Sequence, residues 1–441
     1  MKSIIISSNS SGGGKTTITL ALMKTLINRG FKVQGYKVGP DYIDPAFHRE
    51  ITGVASRNLD LFLMGEDGIK ESYLRGTGEF GVIEGVMGLY DGKGIDTKFS
   101  TAHLSKTLKL PVVLVLSPKA QSATLCAEIE GIRNYEDVNI VGVILNNISA
   151  SYYKLLKTAI EVNCKGIKVF GYIPKDERLT LKSRHLGLVQ SSEVDDLSTK
   201  IELCSSLVEE YIDVDELIKE FKETEVDHSE EHGKFHVENK DIKIAVAYDK
   251  AFSFYYKENI ELLQESGNIV YFSPLKDKEL PRNIDFIYIG GGYPEVFKEE
   301  LSRNKSMLES INSALESGVR CYAECGGLMY LTESIDGYKM VGFFKGTSYM
   351  TGKLNNFGYA TINVVEENKM VQKGVEINCH EFHKSLVDLK DTKVYELKKQ
   401  MYDGNIKTWK CGYVKNNTLG AYGHVHFFSN VEFLQSLIYE L

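Results

Sequence analysis

The chain has 441 residues, which at about 150 residues per domain predicts two or three domains. Its contents of 43% hydrophobic and 25% charged residues are ordinary for a globular enzyme. The net charge of −8, without a long basic run, argues against nucleic acid as a partner. Since no stretch reaches the roughly 18 consecutive apolar residues of a membrane helix, no membrane association is expected either.

The cysteines and the N-terminus indicate the cellular setting. The seven cysteines lack the paired spacing of zinc sites or disulfide frameworks, and their odd number in a long chain indicates a reducing, cytoplasmic location. The first apolar run leads directly into a glycine-rich loop, which is typical of a buried first strand and not of a signal peptide.

Apolar runs alternate with stretches of helical periodicity from residue 1 to about residue 220. The runs predict strands at residues 4–6, 33–37, 82–84, 112–116, 141–145 and 169–173. Strands this apolar, separated by amphipathic stretches, are typical of a parallel sheet covered on both faces. The sequence therefore predicts a doubly wound α/β domain over residues 1–220.

Residues 221–241 interrupt this pattern with a charged segment that lacks apolar periodicity. The segment carries His228, His232 and His236, whose spacing of four could present a metal-binding face. Its composition favours a solvated linker. Apolar runs then resume at residues 242–248, 269–272 and 286–289, and they predict a second doubly wound α/β domain over residues 242–441.

A glycine-rich loop follows the first predicted strand and precedes a predicted helix over residues 18–28. Such a loop points successive backbone N–H groups at phosphate oxygens, while Lys15 adds a charge for the terminal phosphates and Thr16 a hydroxyl for Mg²⁺. The first glycine of the usual pattern is replaced by Asn9, which tolerates left-handed backbone angles. The predicted nucleotide-binding residues are Ser11, Gly12, Gly13, Gly14, Lys15, Thr16 and Thr17.

Two acidic clusters follow this loop. One contains Asp41 and Asp44, and the other contains Glu84 and Asp91. Glu84 ends an apolar strand, where a phosphate-loop enzyme places the carboxylate that helps to hold Mg²⁺. Carboxylates beside glycine and proline are also ordinary turn formers, and for Asp91 alone the turn is the favoured interpretation. The set as a whole indicates a site for Mg²⁺ or for the substrate.

Residues 319–331 have the pattern of a nucleophile elbow. A short buried strand at residues 319–323 is followed by Cys325, and Gly326 and Gly327 then turn at once into a helix. We expect the helix N-terminus to favour the Cys325 thiolate. The alternative is a buried structural cysteine in a glycine-rich turn.

A cysteine nucleophile needs a base and a group that holds the oxyanion. The glycine loop after the strand at residues 286–289 would bring backbone N–H groups to the sheet edge that carries the cysteine. The predicted oxyanion hole comprises Gly291, Gly292 and Gly326. His424 and His426 would face the same side of an extended segment, so that either could be the base. His380 and His383 are three residues apart and not four, which argues against a zinc-protease site.

Motifs along nearly the whole chain resemble, in the same order, those of the cobyrinic acid a,c-diamide synthase family. They lie at residues 39–45, 84–92, 184–189, 249–259, 290–295, 323–331 and 380–383. The resemblance implies an N-terminal domain similar to dethiobiotin synthetase and a C-terminal domain similar to class I glutamine amidotransferases.

The resemblance also implies a ligase that uses ATP, L-glutamine and Mg²⁺ to convert the a and c carboxylates of a corrin tetrapyrrole into amides. The roles it implies are nucleophile for Cys325, base for His424, nucleotide and metal binding for Lys15 and Thr16, and metal or substrate binding for Asp41, Asp44 and Glu84. Class I amidotransferases commonly have a glutamate two residues after the histidine. Because His426 occupies that position, the group that orients His424 stays open.

Two other functions fit these motifs. A nickel-sirohydrochlorin a,c-diamide synthase shares them, and cobyric acid synthase shares the architecture. A phosphate-loop ATPase switch with an inactive amidotransferase-like module is a candidate from another class. The intact Cys325 and the two late histidines argue against an inactive module. The sequence does not indicate an oligomeric state.

Overall fold

The computed structural model describes residues 1–176, 197–226 and 232–439. It divides into two compact units, one of Met1–Leu61 with Ile69–Ser229 and the other of Phe62–Gly68 with Glu230–Leu441. The motif at residues 184–189 and His228 lie outside the described residues. Within the described ranges, no helix is long and apolar enough to span a bilayer.

Residues 1–226 alternate strands with helices. The strands are β1 (Lys2–Ser8), β2 (Val33–Val38), β3 (Arg57–Leu59), β4 (Phe80–Glu84), β5 (Val112–Leu116), β6 (Ile140–Ile148), β7 (Lys168–Pro174) and β8 (Lys222–Glu223). The helices are α1 (Lys15–Asn28), α2 (Ile43–Thr52), α3 (Leu61–Leu74), α4 (Thr101–Leu108), α5 (Ala123–Tyr135), α6 (Ala150–Asn163), α7 (Leu197–Tyr211) and α8 (Val214–Lys219). The backbone of α3 leaves helical geometry at Gly65, where φ is 67°.

The first unit contains the parallel sheet that its apolar runs predict. The order of the parallel strands is β3-β2-β4-β1-β5-β6-β7, and β8 pairs antiparallel with the start of β1. Strands β2, β4 and β5 are buried along their whole length, as expected for a sheet covered on both faces. Because the strands are parallel, the ends of β2 and β4 meet at one edge, where Lys37 lies opposite Glu84.

The segment predicted to be a linker is packed where it is described. Phe221 belongs to the core cluster of the first unit and contacts Phe80, with ring centroids 5.1 Å apart. In the second unit, Phe235 is buried and its ring centroid lies 4.5 Å from that of Phe428. The described ends of the segment therefore pack into the units that flank it.

Residues 232–439 contain many more strands than the apolar runs predict. They are β9 (Ile242–Ala247), β10 (Phe252–Phe254), β11 (Gly267–Phe272), β12 (Phe286–Ile289), β13 (Gly291–Gly292), β14 (Arg320–Glu324), β15 (Ser334–Ile335), β16 (Tyr338–Lys339), β17 (Gly346–Val364), β18 (Glu376–Leu389), β19 (Thr392–Gln400), β20 (Ile406–Lys415), β21 (Thr418–Ala421) and β22 (His424–Val425). The helices are α9 (Lys257–Ser266), α10 (Lys298–Arg303), α11 (Lys305–Glu316), α12 (Gly326–Leu331) and α13 (Val431–Ile438), with 3-10 turns at His232–Phe235 and Phe427–Ser429.

The sheet of the second unit has a parallel part and an antiparallel part. Strands β11-β9-β12-β14-β21 are parallel, as predicted for this domain. The sheet then continues through β20, β19 and β17 with antiparallel pairing, and β18 pairs with both β17 and β22. This extension was not predicted, because long parts of β17 and β20 are exposed and show no continuous apolar run.

Substitutions of two adjacent leucines would test which side of α6 is buried. Leu156 is fully buried, whereas Leu155 is 54% exposed. Truncating the buried side chain leaves a cavity, so Leu156→Ala should lower the free energy of unfolding by about 2–5 kcal/mol. Leu155→Ala, which makes the same chemical change on the exposed side, should alter it by less than about 0.5 kcal/mol. Urea denaturation followed by circular dichroism measures both, and equal losses would refute this orientation of α6.

Candidate functional site

The predicted phosphate loop joins β1 to α1. Gly12 and Gly14 have φ values of 77° and 93°, which glycine adopts more readily than other residues. A Cβ built on Gly14 would lie 2.2 Å from Nδ2 of Asn146, so the loop has no room for a side chain there. Ser11 and Gly12 are exposed. The first N–H groups of α1 have no partner within the helix, which makes them available to a phosphate.

The Lys15 side chain bends back over this loop. Its Nζ donates hydrogen bonds to the backbone oxygens of Ser10, at 2.9 Å, and Met87. Burial, and then the positive charge of Lys37, lowers the pKa of Lys15 to about 8. An ammonium in this position lacks enough compensating negative charge, and a bound phosphate would supply it.

Three of the predicted metal or substrate residues lie together at the carboxyl edge of the sheet. The Thr16 hydroxyl donates to Oε1 of Glu84 at 2.5 Å. The ammonium of Lys37 lies between the carboxylates of Glu84 and Asp44. Its Nζ is 3.0 Å from Oε1 of Glu84 and 2.6 Å from Oδ2 of Asp44. Nε2 of His48 lies 2.9 Å from the other oxygen of Glu84.

The pKa values of Glu84 and Asp44 are shifted in opposite directions. Burial opposes ionisation of Glu84, but Lys37 and His48 outweigh it and lower the pKa of Glu84. Burial, followed by repulsion from Asp41 and Glu84, raises the pKa of Asp44 well above its usual value. Oδ1 of Asp44 is buried and has no hydrogen-bond partner among the described residues. A cation at this oxygen would satisfy it.

The other two predicted carboxylates hold local structure. Oδ1 of Asp41 accepts a hydrogen bond from the backbone N–H of Ile43 at 2.7 Å, at the start of α2. Oδ2 of Asp91 accepts one from the N–H of Gly88 at 2.8 Å, which is the contact of a tight turn.

Sequence reasoning did not predict a role for Lys37 or His48. A signal existed for Lys37, because it ends a predicted strand just as Glu84 does, and neighbouring parallel strands bring such residues to one edge. His48 had no comparable signal. It lies in α2, and its Nδ1 is 3.0 Å from the Ser56 hydroxyl, so that the imidazole links this hydroxyl to Glu84.

In the second unit, Cys325 lies between β14 and α12 with φ of 48° and ψ of −99°. These angles are unfavourable for a residue with a side chain, and surrounding contacts are needed to maintain them. One such contact is the hydrogen bond that its N–H donates to the oxygen of Ala421 at 2.7 Å. The strand, sharp turn and helix predicted for residues 319–331 are therefore present.

The glycine loop after β12 lies close to both Gly326 and His424. A Cβ built on Gly326 would lie 3.2 Å from the backbone nitrogen of Gly292. A Cβ built on Gly291 would lie 2.4 Å from Cε1 and 3.2 Å from Nε2 of His424. The predicted oxyanion-hole residues thus share one region with Cys325 and His424, and Gly291 packs against the imidazole.

The two late histidines have different surroundings. Nδ1 of His424 lies 3.3 Å from Oε2 of Glu324, and its ring contacts the glycine loop. His426 accepts a hydrogen bond at Nδ1 from the N–H of Phe428 at 3.2 Å, and its Nε2 lies 3.4 Å from Oε2 of Glu258. Since both nitrogens of His426 have these partners, the geometry favours His424 as the base. Sequence reasoning missed Glu324.

The N–H of Gly326, at the start of α12, favours the Cys325 thiolate as expected, but burial outweighs this effect in the protein without substrate. Burial, followed by the carboxylates of Glu295 and Glu381, raises the pKa of the Cys325 thiol, and the N–H of Gly326 opposes them only weakly. Helix α12 has six residues. A helix terminus contributes about 0.3–1 kcal/mol, whereas burial can shift a pKa by several units. The thiol therefore needs a base to remove its proton.

His380 and His383 both lie on β18, which pairs with β22. Nε2 of His383 is 3.2 Å from Oε2 of Glu381, and its ring stacks on Tyr422 with centroids 3.8 Å apart. Among the described residues, no group of three or more His, Cys, Asp or Glu side chains is arranged to hold a metal ion. All seven cysteines are free and buried.

Comparison with known families covers both units. The family described as the CobQ/CobB/MinD/ParA nucleotide binding domain matches residues 4–189, and the family described as the CobB/CobQ-like glutamine amidotransferase domain matches residues 243–432. These matches agree with the predicted fold class and imply ATP and glutamine as substrates. Among solved structures, PurLQS from Thermotoga maritima is 16% identical with a TM-score of 0.32, covering 45% of this chain and 97% of that one.

Full-length relatives identify the family. The cobyrinate a,c-diamide synthase of Clostridium tetani is 64% identical over 442 residues, which cover 99% of this chain and 100% of the relative. The cobyrinate a,c-diamide synthase of Clostridium acetobutylicum is 64% identical over 440 residues, with coverage of 99% and 100%. With an identity this high over nearly all of this chain and the whole of each relative, this protein belongs to the cobyrinate a,c-diamide synthase family.

Proposed function

We propose that this protein amidates the a and c carboxylates of cobyrinic acid with ATP and glutamine, through acyl phosphate intermediates. The observation that carries the proposal is that one chain holds a lysine-containing phosphate loop and a cysteine elbow, and aligns over its length with cobyrinate a,c-diamide synthases. Each site supplies a reaction that the other needs.

The phosphate loop supplies activation of the carboxylate. A carboxylate does not react with ammonia, because oxide is not a viable leaving group. In the proposed step, a carboxylate oxygen attacks the γ-phosphorus of ATP, the bond to the bridging oxygen breaks, and ADP leaves. Lys15 and the first N–H groups of α1 stabilise the phosphate charge. Ammonia then attacks the acyl carbon, and phosphate leaves with the electron pair of the broken C–O bond.

Mg²⁺ fits the acidic cluster of this unit. The ion prefers oxygen ligands and commonly takes one or two carboxylates beside phosphates and waters. Oδ1 of Asp44, which is buried without a hydrogen-bond partner in the described ranges, is such an oxygen, and Thr16 and Glu84 lie together at the same sheet edge. We propose that these three residues hold Mg²⁺. When bound, the ion would offset charge on the transferring phosphoryl group.

The cysteine elbow supplies ammonia. His424 accepts the thiol proton as the sulfur of Cys325 attacks the side-chain amide carbon of glutamine. The N–H groups of Gly292 and Gly326 stabilise the oxyanion that forms. His424 then gives its proton to the nitrogen, the C–N bond breaks, and ammonia leaves a thioester that water hydrolyses to glutamate. Local release matters because free ammonia is mostly protonated, and so unreactive, at neutral pH.

Separate nitrogen sources test this division of labour. Cys325→Ala should abolish glutamine-dependent amidation and leave ammonia-dependent amidation within about twofold of wild type, because only glutamine requires the thiol. Lys15→Ala should lower both by about 100-fold or more, because activation precedes either nitrogen source. Mass spectrometry of cobyrinic acid incubated with ATP and each nitrogen source measures both variants.

The matched control is Cys321→Ala, which removes a fully buried cysteine from β14, the strand that precedes Cys325. It should retain use of both nitrogen sources. The proposal fails if Cys325→Ala still uses glutamine, or if Lys15→Ala still turns over ammonia. Amidation of nickel-sirohydrochlorin but not of cobyrinic acid would refute the proposed substrate.

The protonation state of Cys325 gives a second test. The titratable groups near the thiol include Glu295, Glu381, Glu324 and Tyr422, and Glu324 in turn contacts His424. Since burial and the carboxylates raise the pKa of the thiol, it is protonated near neutral pH. Without glutamine, its alkylation by iodoacetamide should therefore accelerate by about tenfold per pH unit from pH 7 to 9.5. Peptide mass spectrometry, with Cys325→Ala as background, measures the rate. A plateau below pH 8 would show a preformed thiolate.

A further inference from the structure

We infer that Glu324 is the positioning residue that holds His424 in the orientation and tautomer needed to accept the Cys325 proton. The inference rests on the proposed glutaminase step. Glu324 directly precedes the nucleophile, its side chain is 1% exposed, and its Oε2 lies 3.3 Å from Nδ1 of His424. A carboxylate buried to this extent is costly unless it has partners, which here are this imidazole and the nearby hydroxyls of Tyr288 and Tyr322.

The pairing of β14 with β21 brings Glu324 close to His424. Strands β14 and β21 are parallel, with Glu324 opposite Ala421. The N–H of Cys325 bonds to the oxygen of Ala421, which fixes the end of β14 beside the end of β21. His424 follows three residues later. The nucleophile and the carboxylate therefore lie at the end of β14, and the imidazole follows the adjacent β21 on β22, which pairs with β18.

The contact selects one tautomer of His424. An ionised carboxylate only accepts hydrogen bonds, so the Nδ1 that faces Glu324 carries the proton. Nε2 then keeps its lone pair, and this nitrogen lies on the side of the ring that faces Gly291. When the thiol proton moves to Nε2, the negative charge of Glu324 stabilises the imidazolium.

Two other buried glutamates of the second unit pair with other histidines in the described part of the chain. His426, two residues later, bonds to Phe428 and Glu258. Glu381 accepts from Nε1 of Trp409 at 3.1 Å and pairs with His383. Among the described residues, the second unit thus contains three buried Glu–His pairs. Glu381 and Glu324 both lie near the nucleophile, but the ring nitrogens of His383 face Glu381 and the oxygen of Ser385, whereas Glu324 faces His424.

These pairs provide a matched control. Glu324→Gln and Glu258→Gln make the same change in fully buried pairs whose N–O distances are 3.3 and 3.4 Å. For Glu324→Gln we expect kcat for glutamate release from glutamine to fall by about 100-fold, with KM for glutamine within about twofold. Glu258→Gln should change kcat by less than about threefold. Glu324→Asp, which restores the charge on a shorter side chain, should recover at least about tenfold over Glu324→Gln.

Ammonia-dependent amidation of cobyrinic acid and the thermal midpoint are measured in parallel on the full chain. The rate of ammonia-dependent amidation and the thermal midpoint should each be the same in Glu324→Gln as in Glu258→Gln. Equal losses of kcat in these two variants, or no recovery in Glu324→Asp, would overturn the positioning role. Glutamate release does not depend on the tetrapyrrole. A wild-type protein that hydrolyses glutamine but never amidates cobyrinic acid would therefore refute the proposed function and leave the role of Glu324 measurable.

Discussion

A parallel strand that ends in a tight turn and continues directly as a helix exposes the turn at the carboxyl edge of its sheet. Both units of this protein depend on that constraint. In the first, Gly12 and Gly14 take left-handed angles between β1 and α1, which costs glycine little. In the second, Cys325 takes such an angle itself, at a cost of about 1–3 kcal/mol. One turn presents N–H groups and an ammonium, and the other presents a thiol.

The charges around the two turns match their proposed chemistry. In the first unit, a buried ammonium, Lys37, joins Asp44 to Glu84, while Lys15 stays short of compensating charge and suits an anion. In the second unit, burial and then the carboxylates of Glu295 and Glu381 raise the pKa of the Cys325 thiol. The resting thiol is therefore unreactive, and reactivity requires a proton transfer to His424.

Local sequence signals predicted much of the framework. The runs at residues 112–116 and 286–289 coincide with β5 and β12, because strands buried on both faces must be apolar throughout. The antiparallel extension was missed because its half-exposed strands lack such runs. The pairing of Glu324 with His424 spans 100 residues and depends on the register of β14 and β21, which no local pattern encodes. The protonated state of Cys325 was missed for a related reason, since burial of the whole site outweighs the local helix terminus.

The central claim is that ATP activates the substrate carboxylate as an acyl phosphate before the nitrogen arrives. Cobyrinic acid labelled with ¹⁸O in its carboxylates tests this claim most directly. During glutamine-dependent turnover, the account predicts ADP and one ¹⁸O atom in inorganic phosphate for each amide formed. Unlabelled phosphate, or transfer of the label to AMP, would contradict it.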